Sequence, residues 1–218
     1  MTGLKKAVSR FVIIGATVLV SACSILPPAE PTDVYQLVPG PLSRMTGVAQ
    51  QVPWSLRIDR PKASEALDSP RIAVVPRNSV ISSYKGARWS DPATLLLRNQ
   101  IRDYFTADSR VRGVSTDDSN LQADFELNGD LLAFQSEYRG ESIEVVIRYD
   151  ARLVNDRQRI VASRRFEVRQ PVKSKEVPAV VAAFGAASDT LAGQILQWTI
   201  EQGRQNYAVT AKAPTGAR

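Results

Sequence analysis

Residues 124–169 read DFELNGDLLAFQSEYRGESIEVVIRYDARLVNDRQRIVASRRFEVR, and this stretch decides the fold. Phe125, Leu127 and Leu131 alternate with Glu126, Asn128 and Asp130, and Ile143, Val145, Ile147, Tyr149, Ala151 and Leu153 alternate with a mostly charged face. A third run, from Ile160 to Arg169, turns Ala162, Phe166 and Val168 the same way. A period of two puts one set of side chains in the core and the other in water, which is the pattern of half-buried strands. Asn155-Asp156 supplies a turn, and connections this short join neighbours in an antiparallel meander.

The charges along this region are sorted. Asp117 to Glu144 holds eight acidic residues and one basic, whereas Arg148 to Lys175 holds nine basic and three acidic. On adjacent strands such blocks pair across the ladder, each direct pair contributing roughly 0.2–1 kcal/mol and helping to fix register. Cross-strand pairing therefore accounts for Arg148, Arg152, Arg157, Arg159, Arg164, Arg165 and Arg169. The sharper reading of the same arginines is a patch for anionic headgroups or an acidic partner, with Arg164 and Arg165 as the candidate contacts. Arg164 shares a face with Ala162 and Phe166. A buried arginine needs a carboxylate, so it is expected either to be paired or to point into a lumen or interface.

Outward from the strands, Val177 to Gln202 places Val177, Val181, Phe184, Leu191, Ile195 and Trp198 on one helical stripe, with small residues at Ala182, Ala183, Gly185, Ala186 and Ala187 for close packing. Upstream, Asp91-Pro92 opens a second amphipathic helix carrying Ala93, Leu96, Leu97, Ile101, Tyr104 and Phe105 to about Ala107, with Ser90 or Asp91 as its cap. Val34–Val38, Trp54–Asp59, Arg71–Pro76 and Ser79–Tyr84 read as extended segments. The uninterrupted Ile72-Ala73-Val74-Val75 suits a strand covered on both faces. The fold class expected is α+β: a single domain with a mostly antiparallel sheet of about five to six strands and two amphipathic helices packed on it.

The N-terminus carries a different signal. Lys5, Lys6 and Arg10 precede an apolar run from Phe11 to Val20 that ends in Val20-Ser21-Ala22-Cys23. That run is short of the roughly 20 apolar residues needed to span a bilayer, and the small residues before Cys23 fit a signal peptidase. The tetrad resembles the bacterial lipobox, which implies cleavage between Ala22 and Cys23 and acylation of Cys23. Two or three acyl chains, at about 0.8 kcal/mol per buried methylene, make a stable anchor. Ser24 stands where enterobacterial sorting rules would put an inner-membrane aspartate, so the resemblance implies the outer membrane. Pro27, Pro28 and Pro31 then stiffen an extended spacer. The expected organisation is a signal peptide over 1–22, a lipidated spacer over 23–33, a folded domain over 34–204 and a disordered tail over 205–218.

Of 218 residues, 28 are Lys or Arg and 22 are Asp or Glu, a formal net charge of +6. Five of those cations lie in the leader and the tail, so the body is close to neutral and nothing marks a nucleic-acid binder. The chain has no histidine and one cysteine. These absences remove histidine triads, nearly all common zinc sites and any intrachain disulfide. Ser82-Ser83, Asp117-Asp118 and the Asp124/Glu126 pair are explained by exposed strands and polar loops, and neither catalytic residues nor a cofactor are expected.

The order of features resembles the auxiliary lipoproteins of ABC-type transport systems, including the paraquat-inducible intermembrane transport lipoproteins that accompany MCE-domain proteins. The resembling parts are Cys23, Tyr35-Gln36-Leu37, Arg71 to Val75, Arg88-Trp89 ahead of Asp91-Pro92, and the ending Leu191 to Trp198. Tyr84 alone stands for the family's Tyr-rich stretch. The resemblance implies a non-enzymatic, outer-membrane-anchored component of a route for lipids or hydrophobic solutes between membranes. Its expected partners are an MCE-domain periplasmic protein and the outer membrane, with a homo-oligomer open. Trp89 is expected to anchor the helix start, with lipid or partner contact as its other reading. A structural or assembly lipoprotein of the envelope, with a domain similar to TolB-like N-terminal domains, is the alternative.

Overall fold

The computed structural model describes residues 31–38, 40, 50–77, 79–119 and 121–212. In chain order the elements are β1 (Asp33–Tyr35), β2 (Val52–Ile58), β3 (Lys62–Ala63), β4 (Arg71–Arg77), β5 (Val80–Trp89), α1 (Ala93–Asp108), β6 (Val111–Thr116), β7 (Phe125–Arg139), β8 (Ser142–Asn155), β9 (Ile160–Pro171) and α2 (Val177–Lys212), with a short 3₁₀ turn at Asp117–Ser119. Thr32–Arg218 make up one unit and Met1–Pro31 another.

All nine strands belong to one sheet, with β7 as its spine. One flank of β7 pairs antiparallel with β8 from Phe125↔Asn155 to Arg139↔Ser142, and β8 pairs antiparallel with β9, which gives the expected meander. The other flank takes β2, then β3, then β4 in succession, each parallel to β7. Beyond β2 lies β6, parallel to it, and beyond β4 lie the antiparallel β5 and then β1. The sheet is thus mixed and has more strands than expected. Period-two alternation reports which face of a strand is buried and not which way its neighbour runs. The two-residue β3 and the weakly apolar Val-Arg-Gly-Val-Ser-Thr of β6 carry no usable alternation.

A β-bulge interrupts the spine. Leu131 pairs with Tyr149 and Ala133 with Arg148, so Leu132 is an extra residue and is exposed. Odd-numbered Phe125, Leu127 and Leu131 face the core before it, and even-numbered Phe134 and Ser136 after it. Such a bulge bends and twists the strand.

The helices cover the inward face. α2 lies across β8 and β9, and α1 packs along α2 beside β6. The expected stripes are buried where they meet the sheet: Leu97, Ile101 and Phe105 on α1, and Phe184, Leu191, Ile195 and Trp198 on α2. Edge-to-face rings tie the sheet to α2, with Trp89 on Phe184 at 5.2 Å and Phe166 on Trp198 at 5.7 Å, and within the sheet Trp54 meets Phe125 at 5.4 Å. α1 starts differently from expectation: Pro92 is its N-cap, no side chain caps it, and the Ser90 hydroxyl donates to Asp91. α2 runs through Lys212, well past Gln202, so the helix takes up part of the segment expected as a tail. Val177–Tyr207 is long and apolar enough to cross a membrane by length and composition, yet its apolar side is spent on the core.

Candidate functional site

The outward face of β7, β8 and β9 is the charge lattice that the sorted sequence blocks foretell. Register places Asp130 opposite Asp150 and Glu137 opposite Glu144, two like-charge pairs that would disfavour the ladder by themselves. Arginines resolve both. Arg152 reaches Asp130 at 2.6 Å, and Arg165 forks onto Asp150 with two 2.6 Å hydrogen bonds. Arg169 lies 3.6 Å from Glu137, 3.5 Å from Glu144 and 2.8 Å from Glu167, which also accepts from Arg148 at 2.7 Å. The hydrogen bonds from Arg165 hold Asp150 below the usual carboxylate range, and that from Arg148, helped by Arg169, does the same for Glu167. Of the two contact candidates, Arg165 is therefore neutralised within the sheet.

Arg164 is exposed and makes no ion pair among the described residues. It follows the inward parity of Phe166, but β9 is the edge strand, and its guanidinium lies 4.9 Å from the Phe166 ring centroid. A cation on an aromatic face replaces the expected buried carboxylate partner. Trp89 is fully buried between Phe134 and Phe184, so it is a packing anchor and its ring is shut off from any surface contact. Ala22 and Cys23 lie outside the described residues.

The acidic candidates are engaged structurally. Asp117 and Asp118 receive the buried guanidinium of Arg98 at 2.6 and 2.7 Å, which locks α1 to the 3₁₀ turn and lowers the Asp118 pKa. Asp124 accepts from the backbone and hydroxyl of Ser55, and Glu126 pairs with Arg57 at 2.9 Å. Among the described residues no cluster of three or more acidic or sulfur ligands could hold a metal ion. One polar knot was not foreseen: Asp189 on α2 accepts from Gly40 N–H at 2.7 Å and Gln100 Nε2 at 2.5 Å, and Tyr104 hydrogen-bonds to it as well. It fastens α2 to α1 and to the segment after β1.

Three of the stretches that carry the family resemblance come together on one flank of the sheet. Tyr35 pairs with Trp89 across β1 and β5, Arg71 pairs with Arg88 across β4 and β5, and Trp89 packs on α2 through Phe184. The β4–β5 hairpin carries Arg71, Arg77, Lys85 and Arg88, all exposed and none in an ion pair among the described residues. Between Arg71 and Ser90 there is no acidic residue. A charge count segment by segment shows this in the sequence alone.

A family model described as the ABC-type transport auxiliary lipoprotein component matches residues 35–196. The crystal structure of a protein from Xanthomonas campestris is 31% identical, with a TM-score of 0.71 over 81% of this chain and 99% of that one. A second crystal structure, 15% identical with a TM-score of 0.58 over 77% of this chain and 98% of that one, shares the fold. An uncharacterized protein of Bradyrhizobium diazoefficiens is 30% identical over 153 residues, which are 70% of this chain; the match spans 41% of that protein's length. The match takes in every strand and helix except the start of β1 and the end of α2, and the chain belongs to the ABC-type transport auxiliary lipoprotein family.

Proposed function

We propose that this protein is a non-catalytic accessory of an ABC/MCE-type system moving lipids or hydrophobic solutes between membranes, anchored in the outer membrane by acyl chains on Cys23. The family match over residues 35–196 carries the reading, and the lipobox ending at Cys23 supports the anchor. An anchor of this kind raises the local concentration of the body near a periplasm-spanning partner, so a small interface suffices for docking. The acidic candidates Asp117, Asp118, Asp124 and Glu126 serve in ion pairs and loop hydrogen bonds, which suits a scaffold and docking role. The family's transport role favours this reading over an envelope-assembly lipoprotein.

The experiment is metabolic labelling with a fatty acid combined with crosslinking in cells. Wild-type protein is expected to incorporate label, fractionate with the outer membrane and crosslink to an MCE-domain protein. Cys23→Ala is expected to lose the label and the membrane fractionation. Label persisting in that variant would remove the anchor, and crosslinks only to envelope-assembly proteins would remove the transport role.

A further inference from the structure

We propose that the β4–β5 hairpin is a second membrane contact, a cationic and partly apolar face that lies on the anionic headgroups of the bilayer holding the anchor. The proposal rests on the reading of Cys23 as an acyl anchor. Four observations carry it.

First, Arg71, Arg77, Lys85 and Arg88 fall in a span without one acidic residue, whereas the arginines of β8 and β9 are mostly bonded to carboxylates. Their charge is available to something outside the described domain. Second, Arg71 stands directly opposite Arg88 in the ladder, a like-charge pair with no carboxylate among the described residues to relieve it. The lattice on β7–β9 resolves its like-charge pairs internally, and this one is left for an external anion. Third, exposed apolar side chains accompany the cations: Val34 pairs with Arg88 from β1, and Val80 and Ile81 form the hairpin end at 40% and 46% exposure. Cations flanked by apolar side chains fit a headgroup layer, where the charge meets phosphate and the methyl groups enter the acyl boundary. An acidic protein face would satisfy the arginines and leave Val80 and Ile81 unexplained.

Fourth, the tether is short. β1 begins at Asp33, ten residues after Cys23, and is hydrogen-bonded to β5. Ten residues span at most about 35 Å even when fully extended. The first strand after the spacer therefore brings β5 within a domain's width of the lipid.

The test uses the mature acylated chain reconstituted in phosphatidylcholine vesicles with and without phosphatidylglycerol. Cys23 is the only cysteine, and acylation occupies its thiol, so Ser82→Cys adds a unique labelling site in the hairpin and Asp156→Cys one at the β8–β9 turn. Vesicle flotation reports the anchor by itself. With a fluorophore at position 82, headgroup-labelled quencher lipid is expected to quench several-fold more in phosphatidylglycerol vesicles, and the excess should vanish in high salt. The combined Arg71→Glu, Arg77→Glu, Lys85→Glu and Arg88→Glu variant should lose it, and the corresponding Arg→Lys changes should retain it. A fluorophore at position 156 should stay unquenched.

Flotation with equal quenching at the two positions, or with no dependence on phosphatidylglycerol, overturns the hairpin contact and leaves the anchor standing. A position-82 probe that stays in water on vesicles and is shielded only when an MCE-domain protein is added overturns it in favour of a protein interface. Loss of flotation removes the anchor and the hairpin contact together.

Discussion

Asp150 faces Asp130 on one side and Arg165 on the other, a position in which its ionised form is favoured by the arginine. With Asp118 and Glu167 it is a carboxylate whose pKa the fold depresses. Depressed groups contribute stability that is present above their unfolded values, near 4, and is lost as pH falls through the folded ones. Thermal melts are therefore expected to be flat from neutrality to about pH 5 and to fall steeply below about pH 4. Arg148→Gln with Arg165→Gln should flatten that acid limb; an unchanged limb would mean the lattice is inert. At the alkaline end, burial pushes the Tyr84 phenol up to about 12, outweighing its hydrogen bond to Ser136. Stability tied to neutral Tyr84 is complete below the unfolded value of about 10 and is lost as pH rises through about 12.

At the scale of elements, two rules oppose each other at Gly203 on α2. Helix propensity alone would have Gly→Ala stabilise by about 1 kcal/mol. A Cβ there would collide with the buried indole of Trp54, which is packed edge-on against Phe125. The clash wins, and Gly203→Ala is expected to destabilise by roughly 1–3 kcal/mol in urea titrations, with Trp54→Phe restoring part of the loss. The helix itself was legible, because Phe184, Leu191, Ile195 and Trp198 recur at its period, and so were β7, β8 and β9 from their alternation. The parallel flank was not. β2 and β4 were each readable as strands, but nothing in their residues says that both would dock on β7, and β3 and β6 are too short or too polar to announce themselves. The same limit applies to the site. Sorted charge blocks disclosed the paired face, because pairing follows from adjacency in the chain; the acid-free span of the hairpin is equally readable as composition, but that no distant carboxylate reaches its cations is decided by the fold.

The described residues of the folded domain share one hydrophobic cluster running from Leu37 to Ile200, into which all three tryptophans are built: Trp54 and Trp89 at 1% and 0% exposure and Trp198 at 7%. Both helices and both flanks of β7 contribute to it. One shared core predicts one cooperative transition, with tryptophan fluorescence and far-ultraviolet circular dichroism reporting the same urea midpoint. Separate midpoints would mean that the flank of β1, β4 and β5 melts alone. The bulge at Leu132 also bears on how such a chain can change length. Losing that codon would put Ala133 next to Leu131 and leave Phe134 opposite Ile147, so each remaining side chain of β7 keeps its face and only the bend is removed. A deletion in the regular runs on either side has no spare residue to absorb it and turns part of the strand inside out. Leu132 is thus a slack position in the spine, where this strand can lose one residue without exchanging core for surface.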